Sequence, residues 1–244
     1  MDSVTQPLAL VIGGTGVIGT AIVDRLAKRG HAVVATYRRQ ERPVRDGETT
    51  WAPFDAKEPV TAAAMAEAVR VDGRPLRTLI YAAGVGSTKR TVVDTPLDEF
   101  DQLWQANALG FVAVWQAVAE LARAGGASVL VISSEAARTA GSRNGPYSAS
   151  KAALETIALT LAKEEAAYGV RVNVMSPSLL ASPMAETMLR HKGIEDTAGY
   201  YAALPFGRAL EAGEVAELAV DIAVGEHWRY ASGQIVRLAA DVGR

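Results

Sequence analysis

The sequence predicts an α/β protein with a doubly wound, mostly parallel sheet and helices on both faces, in a single domain over residues 1–244. Short apolar runs alternate with longer segments of helical spacing, which indicates repeated strand–helix–strand units. The runs are continuous in Val, Ile and Leu, as expected for strands covered on both faces. A length of 244 residues suits one such domain.

Six apolar runs are predicted strands, and five segments with helical spacing are predicted helices. Ligands bind outside the carboxyl ends of the strands in such a sheet, so the residues that follow each strand are candidate site residues. The predicted strands are 8–12, 32–36, 78–81, 128–132, 170–174 and 234–238, and the predicted helices lie near 21–29, 61–70, 97–124, 147–168 and 211–224.

The composition argues against several classes of function. The net charge is −2 and the basic residues are scattered, so neither nucleic acid nor an anionic membrane is an expected partner. The chain has no cysteine, which excludes disulfides and thiol catalysis, and its three histidines are far apart, so no metal is expected. No apolar segment approaches the roughly 20 residues that cross a membrane. The N-terminus does not resemble a signal peptide, and a cytoplasmic protein is expected.

A glycine-rich segment follows the first strand. It reads Gly13-Gly14-Thr15-Gly16-Val17-Ile18-Gly19 and leads into a helix. Glycine lets a backbone turn tightly and approach a pyrophosphate, and a helix N-terminus offers free N–H groups to the anion. This position in the chain predicts a dinucleotide site, with a tight turn that binds nothing as the alternative.

The residues after the second strand predict which dinucleotide is bound. NAD-binding proteins place an acidic residue there for the ribose 2′-hydroxyl, whereas this chain has Arg38 and Arg39 and no carboxylate before Glu41. Guanidinium groups suit a 2′-phosphate, so NADP(H) is the predicted cofactor, with Arg38 as the main contact. Arginines that merely solubilise a loop are the alternative.

Ser134, Tyr147 and Lys151 form the predicted catalytic set. Ser134 follows the strand that ends at Ile132, and Tyr147 and Lys151 share one face of the next helix. A carbonyl that receives a hydride needs a proton on its oxygen, and a tyrosine hydroxyl can donate it. A nearby lysine ammonium should lower the tyrosine pKa, and a serine hydroxyl can stabilise charge on the substrate oxygen.

Asn107 lies in a stripe of apolar residues at helical spacing, which predicts that its amide is buried. A buried amide must find hydrogen-bond partners. Neighbouring backbone is one set of partners, and a polar relay is the other. The stripe comprises Phe100, Trp104, Phe111, Val114 and Val118.

In order and spacing, these motifs resemble the short-chain dehydrogenase/reductase family over nearly the whole chain. The resemblance implies a Rossmann-like sheet of about seven strands and usually a homotetramer. It implies that Tyr147 is the general acid/base, Ser134 orients the carbonyl, and Lys151 binds the nicotinamide ribose. It also implies that Asn107 holds a water behind Lys151.

The resemblance assigns the remaining cofactor contacts as well. Asp55 would touch the adenine, and Leu180 and Ser182 would meet the nicotinamide carboxamide. Ala83 and Gly84 follow the strand 78–81, and this position at its carboxyl end lets them line an adenine and ribose cleft, with an ordinary strand exit as the alternative. The chain departs from the usual motif in the strand-end residues Tyr81-Ala82-Ala83-Gly84, where the family commonly has Asn-Asn-Ala-Gly.

Residues 179–206 are the predicted substrate lid, and their side chains suit an apolar or aromatic carbonyl compound. Packing of the same side chains onto the body is the alternative. A 3-oxoacyl thioester is a further candidate substrate. A non-catalytic dinucleotide sensor, and an epimerase or dehydratase on the same fold, are the competing functions. The lid residues concerned are Met184, Met188, Leu189, Tyr200, Tyr201, Leu204, Pro205 and Phe206.

Overall fold

The computed structural model describes residues 6–39, 49–58, 60–204 and 206–238. Glu41, Pro205 and both ends of the predicted domain lie outside these residues. Within them the strands are β1 (Leu8–Ile12), β2 (Ala32–Tyr37), β3 (Thr49–Pro53), β4 (Leu76–Tyr81), β5 (Ser128–Ile132), β6 (Arg171–Pro177) and β7 (Ile235–Leu238).

The described strands form one sheet in the order β3-β2-β1-β4-β5-β6-β7, and every neighbouring pair is parallel. The prediction of a Rossmann-like parallel sheet of about seven strands is confirmed. The chain starts at β1 and adds strands first to one side and then, from β4 onward, to the other. A crevice for ligands opens at the carboxyl ends of β1 and β4, where the direction reverses.

Helices cover both faces of the sheet, and all five predicted helical segments are helical. None of the helices in the described part of the chain is both long and apolar enough to cross a membrane. The helices are α1 (Val17–Lys28), α2 (Thr61–Asp72), α3 (Leu97–Trp104), α4 (Gly110–Gly125), α5 (Ala136–Thr139), α6 (Gly145–Glu164), α7 (Pro183–His191), α8 (Thr197–Ala202) and α9 (Ala212–Val224).

Each face of the sheet buries its own apolar layer. In β1, Leu8, Leu10 and Ile12 belong to the layer shared with α2, α4 and α6. Ala9 and Val11 belong to the layer shared with α1 and α9. Successive strand residues point to opposite faces, so a continuous apolar run fills both layers. The core thereby fixes the strand ends on which the site is built.

A π-helical turn, Gln105–Leu109, separates α3 from α4 within the segment predicted as one helix. Such a turn holds one extra residue, so the buried face before it is out of register with the buried face after it. The predicted apolar stripe is therefore wrong at Trp104, just before the turn, which is 42% exposed, whereas its neighbour Leu103 is buried. Asn107 lies inside the turn and is fully buried, as predicted.

The lid segment contains two short helices, α7 and α8, that the sequence pattern did not reveal. The Ser182 hydroxyl caps α7 by accepting the Ala185 N–H over 3.2 Å. The Asp196 carboxylate caps α8 by accepting the Gly199 N–H over 2.8 Å. Both caps are residue types that favour helix starts. The caps give the lid a defined structure above the sheet edge.

Candidate active site

The glycine turn contacts two neighbouring strand ends. Gly13 has a φ of 79°, and a Cβ there would lie 2.9 Å from the Ala83 backbone nitrogen, so a side chain would be both strained and crowded. The Gly13 N–H donates to the Thr36 hydroxyl in β2 over 2.9 Å. The turn thus joins the carboxyl ends of β1, β2 and β4 at the crevice.

Helix α1 begins directly at this turn. A Cβ on Gly19 would overlap the Gly13 carbonyl oxygen, so glycine at this position lets the helix pack against the turn. The first helical turn carries no acidic residue, and its N-cap, Gly16, makes no side-chain cap bond. Thr15 and Gly16 are exposed. The geometry and the positive helix end therefore fit a pyrophosphate.

The predicted adenine-side residues lie at the same edge of the sheet. Arg38 and Arg39 directly follow β2, and both are exposed. Asp55 follows β3 and is half-buried, and its Oδ1 accepts the Lys57 N–H over 3.0 Å. The carboxylate of Asp55 therefore closes its own turn, and its contact with adenine stays a prediction.

Gly84, Asn107 and Lys151 come together behind the loop that follows β4. A Cβ at Gly84 would lie 3.2 Å from Lys151 Nζ and 3.3 Å from Asn107 Oδ1. Asn107 Oδ1 accepts the Val85 N–H over 2.7 Å, and its Nδ2 donates to the Val85 carbonyl over 3.0 Å. Its Nδ2 also donates to Ser150 Oγ over 2.9 Å. Asn107 therefore fixes the loop beside Lys151, and a water relay through it stays a prediction.

Tyr147 and Ser134 meet at the substrate side of the sheet edge. Tyr147 lies in the first turn of α6, close enough to Ser134, two residues past β5, for the two side chains to interact. Burial raises the pKa of Tyr147, and the interaction with Ser134 opposes this, so the net direction is upward. The phenol is therefore protonated at neutral pH, which is the form that can donate a proton.

Lys151 lies one turn further along α6, and its ammonium is buried. Its Nζ donates to the Ile132 carbonyl over 3.0 Å, and the residue is 4% exposed. Burial lowers the pKa of Lys151 to about 8, against an opposing effect of Glu155. Lys151 is not among the groups that shift the pKa of Tyr147 in this structure, so the expected lowering of that pKa by Lys151 stays a prediction.

Leu180 and Ser182 follow β6 and fix the start of the lid. Leu180 forms an isolated parallel bridge with Leu210. The Ser182 hydroxyl donates to the Leu180 carbonyl over 3.3 Å while it caps α7. Both residues line the large cavity, and their contacts with a nicotinamide stay predictions.

A cavity of about 890 Å³ lies between the sheet edge and the lid. Ser134 and Tyr147 line it, together with Ile18 of α1. Leu189, which was expected in the lining, is fully buried and does not line the cavity. The predicted lid residues that do line the cavity are Met184, Met188, Tyr200, Leu204 and Phe206.

Lys89 and Asn144 line the same cavity and were missed by the sequence reasoning. Lys89 follows β4, has a φ of 64° and is 8% exposed. Its Nζ donates to Asn144 Oδ1 and lies 5.4 Å from the centroid of the Tyr147 ring. Lysine is usually exposed, and hydrophobic periodicity predicts neither the burial of a lysine nor a positive φ.

Comparisons with known proteins agree with this geometry. The family model described as enoyl-(acyl carrier protein) reductase matches residues 14–243. A chloroplastic NADPH-dependent aldehyde reductase-like protein of Arabidopsis thaliana is 30% identical over 263 residues, covering 96% of each chain. Dehydrogenase/reductase SDR family member 4 of Bos taurus is 32% identical over 191 residues, covering 74% of this chain and 68% of that protein.

Solved structures share the fold. Levodione reductase superposes with a TM-score of 0.88 at 20% identity, and an actinorhodin polyketide ketoreductase with NADPH superposes with a TM-score of 0.86 at 24% identity. Each comparison covers 96% of both chains. Fold and site together define an oxidoreductase of the Rossmann-like class. The chain belongs to the short-chain dehydrogenase/reductase family.

Proposed function

We propose that the protein transfers a hydride between NADP(H) and a carbonyl compound or the corresponding alcohol, with Tyr147 as the proton-transferring residue. One observation carries this proposal. Tyr147 and Ser134 line the large cavity together at the carboxyl end of β5, close enough to interact, with Lys151 buried one helical turn further on. A small-molecule aldehyde or ketone is the expected substrate.

The residues divide the chemistry between them. The reduced nicotinamide, when bound, supplies the hydride for the carbonyl carbon. Tyr147 donates its phenolic proton to the carbonyl oxygen, and Ser134 donates a hydrogen bond to the same oxygen as negative charge develops there. Lys151 would hold the nicotinamide ribose. In the alcohol direction the phenolate of Tyr147 would accept the proton of the alcohol.

Two groups of residues would hold the phosphates of the cofactor. Gly13, Gly16 and Gly19 would receive the pyrophosphate at the start of α1. Arg38 and Arg39 would bind the ribose 2′-phosphate, since both guanidiniums are exposed at the end of β2. The names of two Arabidopsis thaliana relatives support the same preference: one is an NADPH-dependent aldehyde reductase-like protein, and the other is NADPH-dependent aldehyde reductase 2.

The remaining assigned residues would complete the cofactor site. Asp55 and Ala83 would line the adenine and ribose cleft. Leu180 and Ser182, at the start of the lid, would face the nicotinamide carboxamide.

Reduction of a thioester-linked substrate is a second candidate, because the matching family model is described as an enoyl-(acyl carrier protein) reductase. That activity would deliver hydride to a carbon–carbon double bond instead of a carbonyl. Reduction of a 3-oxoacyl thioester keeps the carbonyl chemistry and changes only the substrate class. A panel of substrates distinguishes these cases.

The test is NADPH oxidation by the purified protein, followed by absorbance. The panel contains apolar and aromatic aldehydes and ketones, a quinone, a 3-oxoacyl thioester and an enoyl thioester. We expect turnover of carbonyl substrates, and Tyr147→Phe should lower kcat by about 10²–10⁴ because the general acid is lost. NADPH affinity should change by less than about tenfold, the range of one neutral hydrogen bond.

Tyr230→Phe is the matched control, since Tyr230 is fully exposed. A fully active Tyr147→Phe variant would contradict the proposed proton donor. Turnover of the enoyl thioester alone would favour the second candidate. Tight NADPH binding without turnover of any substrate would favour a dinucleotide sensor, and a retained cofactor that is never released would favour an epimerase or dehydratase.

Assembly and location stay predictions. A homotetramer follows from the family resemblance, and light scattering on the purified protein would measure it. A cytoplasmic location is likewise an expectation from the sequence.

A further inference from the structure

The buried lysine in the substrate cavity has a role that the proposed mechanism does not use. Lys89 is 8% exposed, and its Nζ has the neutral amide oxygen of Asn144 as its hydrogen-bond acceptor. No carboxylate in the described part of the chain forms an ion pair with it. Burying a cation without a counter-ion costs free energy, so its retention calls for an explanation.

The loop holds Lys89 rigidly in this place. Its φ of 64° is an uncommon conformation for lysine, and the Arg143 Nε donates to its carbonyl over 2.9 Å. Arg143 also has a positive φ, of 59°. Backbone strain of this kind persists where the surrounding structure enforces it, and it is concentrated in ligand-binding sites. The backbone from which the Lys89 side chain enters the cavity is therefore held in a defined conformation.

Two acidic side chains, Glu99 and Glu135, have partners other than Lys89. Glu99 influences Lys89, but its two oxygens accept the N–H and the hydroxyl of Thr88 over 2.8 and 2.6 Å. Glu135 lines the cavity and is paired with Arg138 and, over 3.3 Å, with Arg237. Neither carboxylate forms an ion pair with the ammonium group of Lys89.

The balance of charge in the cavity wall is positive. Besides Lys89 and Glu135, the described charged residues of the lining are Lys192 and Arg208. Arg208 forms an ion pair with Glu214, whereas Lys192 forms none among the described residues. Burial and Lys192 lower the pKa of Lys89 to about 8, and Glu99 opposes this, so Lys89 is charged at neutral pH.

We infer that Lys89, assisted by Lys192, binds an acidic group of the substrate, so that the protein acts on carbonyl acids. The inference rests on the proposed function. The substrate carbonyl lies at the Tyr147 hydroxyl, and its carboxylate replaces Asn144 as the partner of Lys89. Because Lys89 Nζ is 5.4 Å from the Tyr147 ring centroid, the Lys89 ammonium group and the Tyr147 hydroxyl can contact the same small molecule. The apolar lid residues contact the carbon skeleton between them.

Matched acid and ester substrates test this inference. The probes are 3- and 4-carboxybenzaldehyde and their methyl esters, which differ in charge at the position of interest. The measured quantity is the ratio of kcat/KM for acid over ester at saturating NADPH. We expect a ratio of at least ten in the wild-type protein, which corresponds to about 1.4 kcal/mol. Lys89→Gln should bring the ratio close to one.

Two variants control for structural effects. Lys89→Arg keeps the charge and should keep most of the preference for the acid. Lys163→Gln removes an exposed lysine from α6 and should keep the wild-type ratio. Glutamine at position 89 retains a hydrogen-bond donor for Asn144, so the loop keeps its contact. An acid-to-ester ratio near one in the wild-type protein, or an unchanged ratio in Lys89→Gln, would overturn the inference.

A binding measurement separates this inference from the proposed reaction. Monomethyl terephthalate carries one carboxylate and no reducible carbonyl, and dimethyl terephthalate is its neutral partner. Calorimetry in the presence of NADP⁺ should show at least tenfold weaker binding of the acid to Lys89→Gln than to wild type. Equal affinities would overturn the anion site even if aldehydes are reduced, and a clear difference would support it even if none is.

Discussion

Arg38 is the residue on which the choice between NADPH and NADH should depend. It is exposed directly after β2, where a 2′-phosphate would be bound. We expect Arg38→Asp to lower the preference for NADPH over NADH by tenfold or more, about 1.4 kcal/mol, because an attraction becomes a repulsion. The measurement is kcat/KM for each cofactor with one carbonyl substrate.

Arg70→Asp is the control for that substitution. Arg70 lies in the last turn of α2, which leads to the amino end of β4, at the opposite edge of the sheet. The control makes the same charge change and should leave the cofactor ratio as it is. An unchanged ratio in Arg38→Asp would mean that other residues bind the 2′-phosphate.

Among the individual site residues, those whose position follows from the strands could be identified from the sequence. Ser134 and Tyr147 could be placed because a strand end and a helix start determine where they lie. Lys89 could not, because its burial depends on contacts with Asn144 and Arg143, more than 50 residues away in the chain. Periodicity reports which face a residue occupies and carries no information on such loop contacts.

The glycine turn and α1 form one structural element, and Gly19 lets them pack. A Cβ at this position would overlap the Gly13 carbonyl oxygen, so the turn and the helix would have to separate. We expect Gly19→Ala to weaken NADPH binding at least tenfold and to destabilise the fold by about 1–3 kcal/mol, the usual cost of overpacking. Fluorescence titration with NADPH and urea unfolding measure the two effects.

Gly213→Ala is the matched control for this element. Gly213 also lies in the first turn of a helix, α9, and a Cβ there would meet nothing within 4 Å. This variant should keep its NADPH affinity and gain up to about 1 kcal/mol of stability from the better helix propensity of alanine. If Gly19→Ala bound NADPH as tightly as Gly213→Ala does, close packing at the turn would not matter for the cofactor.

The boundaries of some strands could be predicted from the sequence, whereas the interruption of one helix could not. The strand Leu8–Ile12 and the strand Ser128–Ile132 were predicted with the bounds that the structure has. The π-helical turn at Gln105–Leu109 was not, since its apolar residues fit an uninterrupted helix almost equally well. The turn matters for the site because it carries the buried Asn107 toward Val85.

For the whole molecule, alternating strands and helices determine the class of fold, and the sheet order then determines where the site lies. Residues from the ends of β1, β4 and β5 meet at one edge although more than 100 positions separate Gly13 from Tyr147. The fold class does not determine whether the substrate is acidic or neutral. That property depends on which charged side chains in the folded cavity lack a partner, and the composition of the chain does not show this.

The same buried charge that serves the reaction should cost the folded molecule stability. Burial lowers the pKa of Lys151 from 10.5 to about 8, so the folded state binds fewer protons than the unfolded state between these two pH values. Stability rises with pH wherever the unfolded state binds more protons. The loss of stability caused by the buried ammonium group is therefore complete below pH 8 and disappears as the pH approaches 10.5.

We expect the wild-type protein to gain stability relative to Lys151→Met as the pH rises from 7 to 10.5. The gain should reach up to about 3 kcal/mol, at 1.36 kcal/mol per pH unit. Urea unfolding, followed by circular dichroism at several pH values, measures the free energy of unfolding of both proteins. Taking the difference between the two proteins cancels the contribution of the other titrating groups. Lys163→Met, which removes an exposed lysine from the same helix, should follow the wild type throughout. A constant difference between wild type and Lys151→Met would mean that the pKa of Lys151 is the same in the folded and unfolded states. The buried ammonium group would then not reduce the stability of the fold.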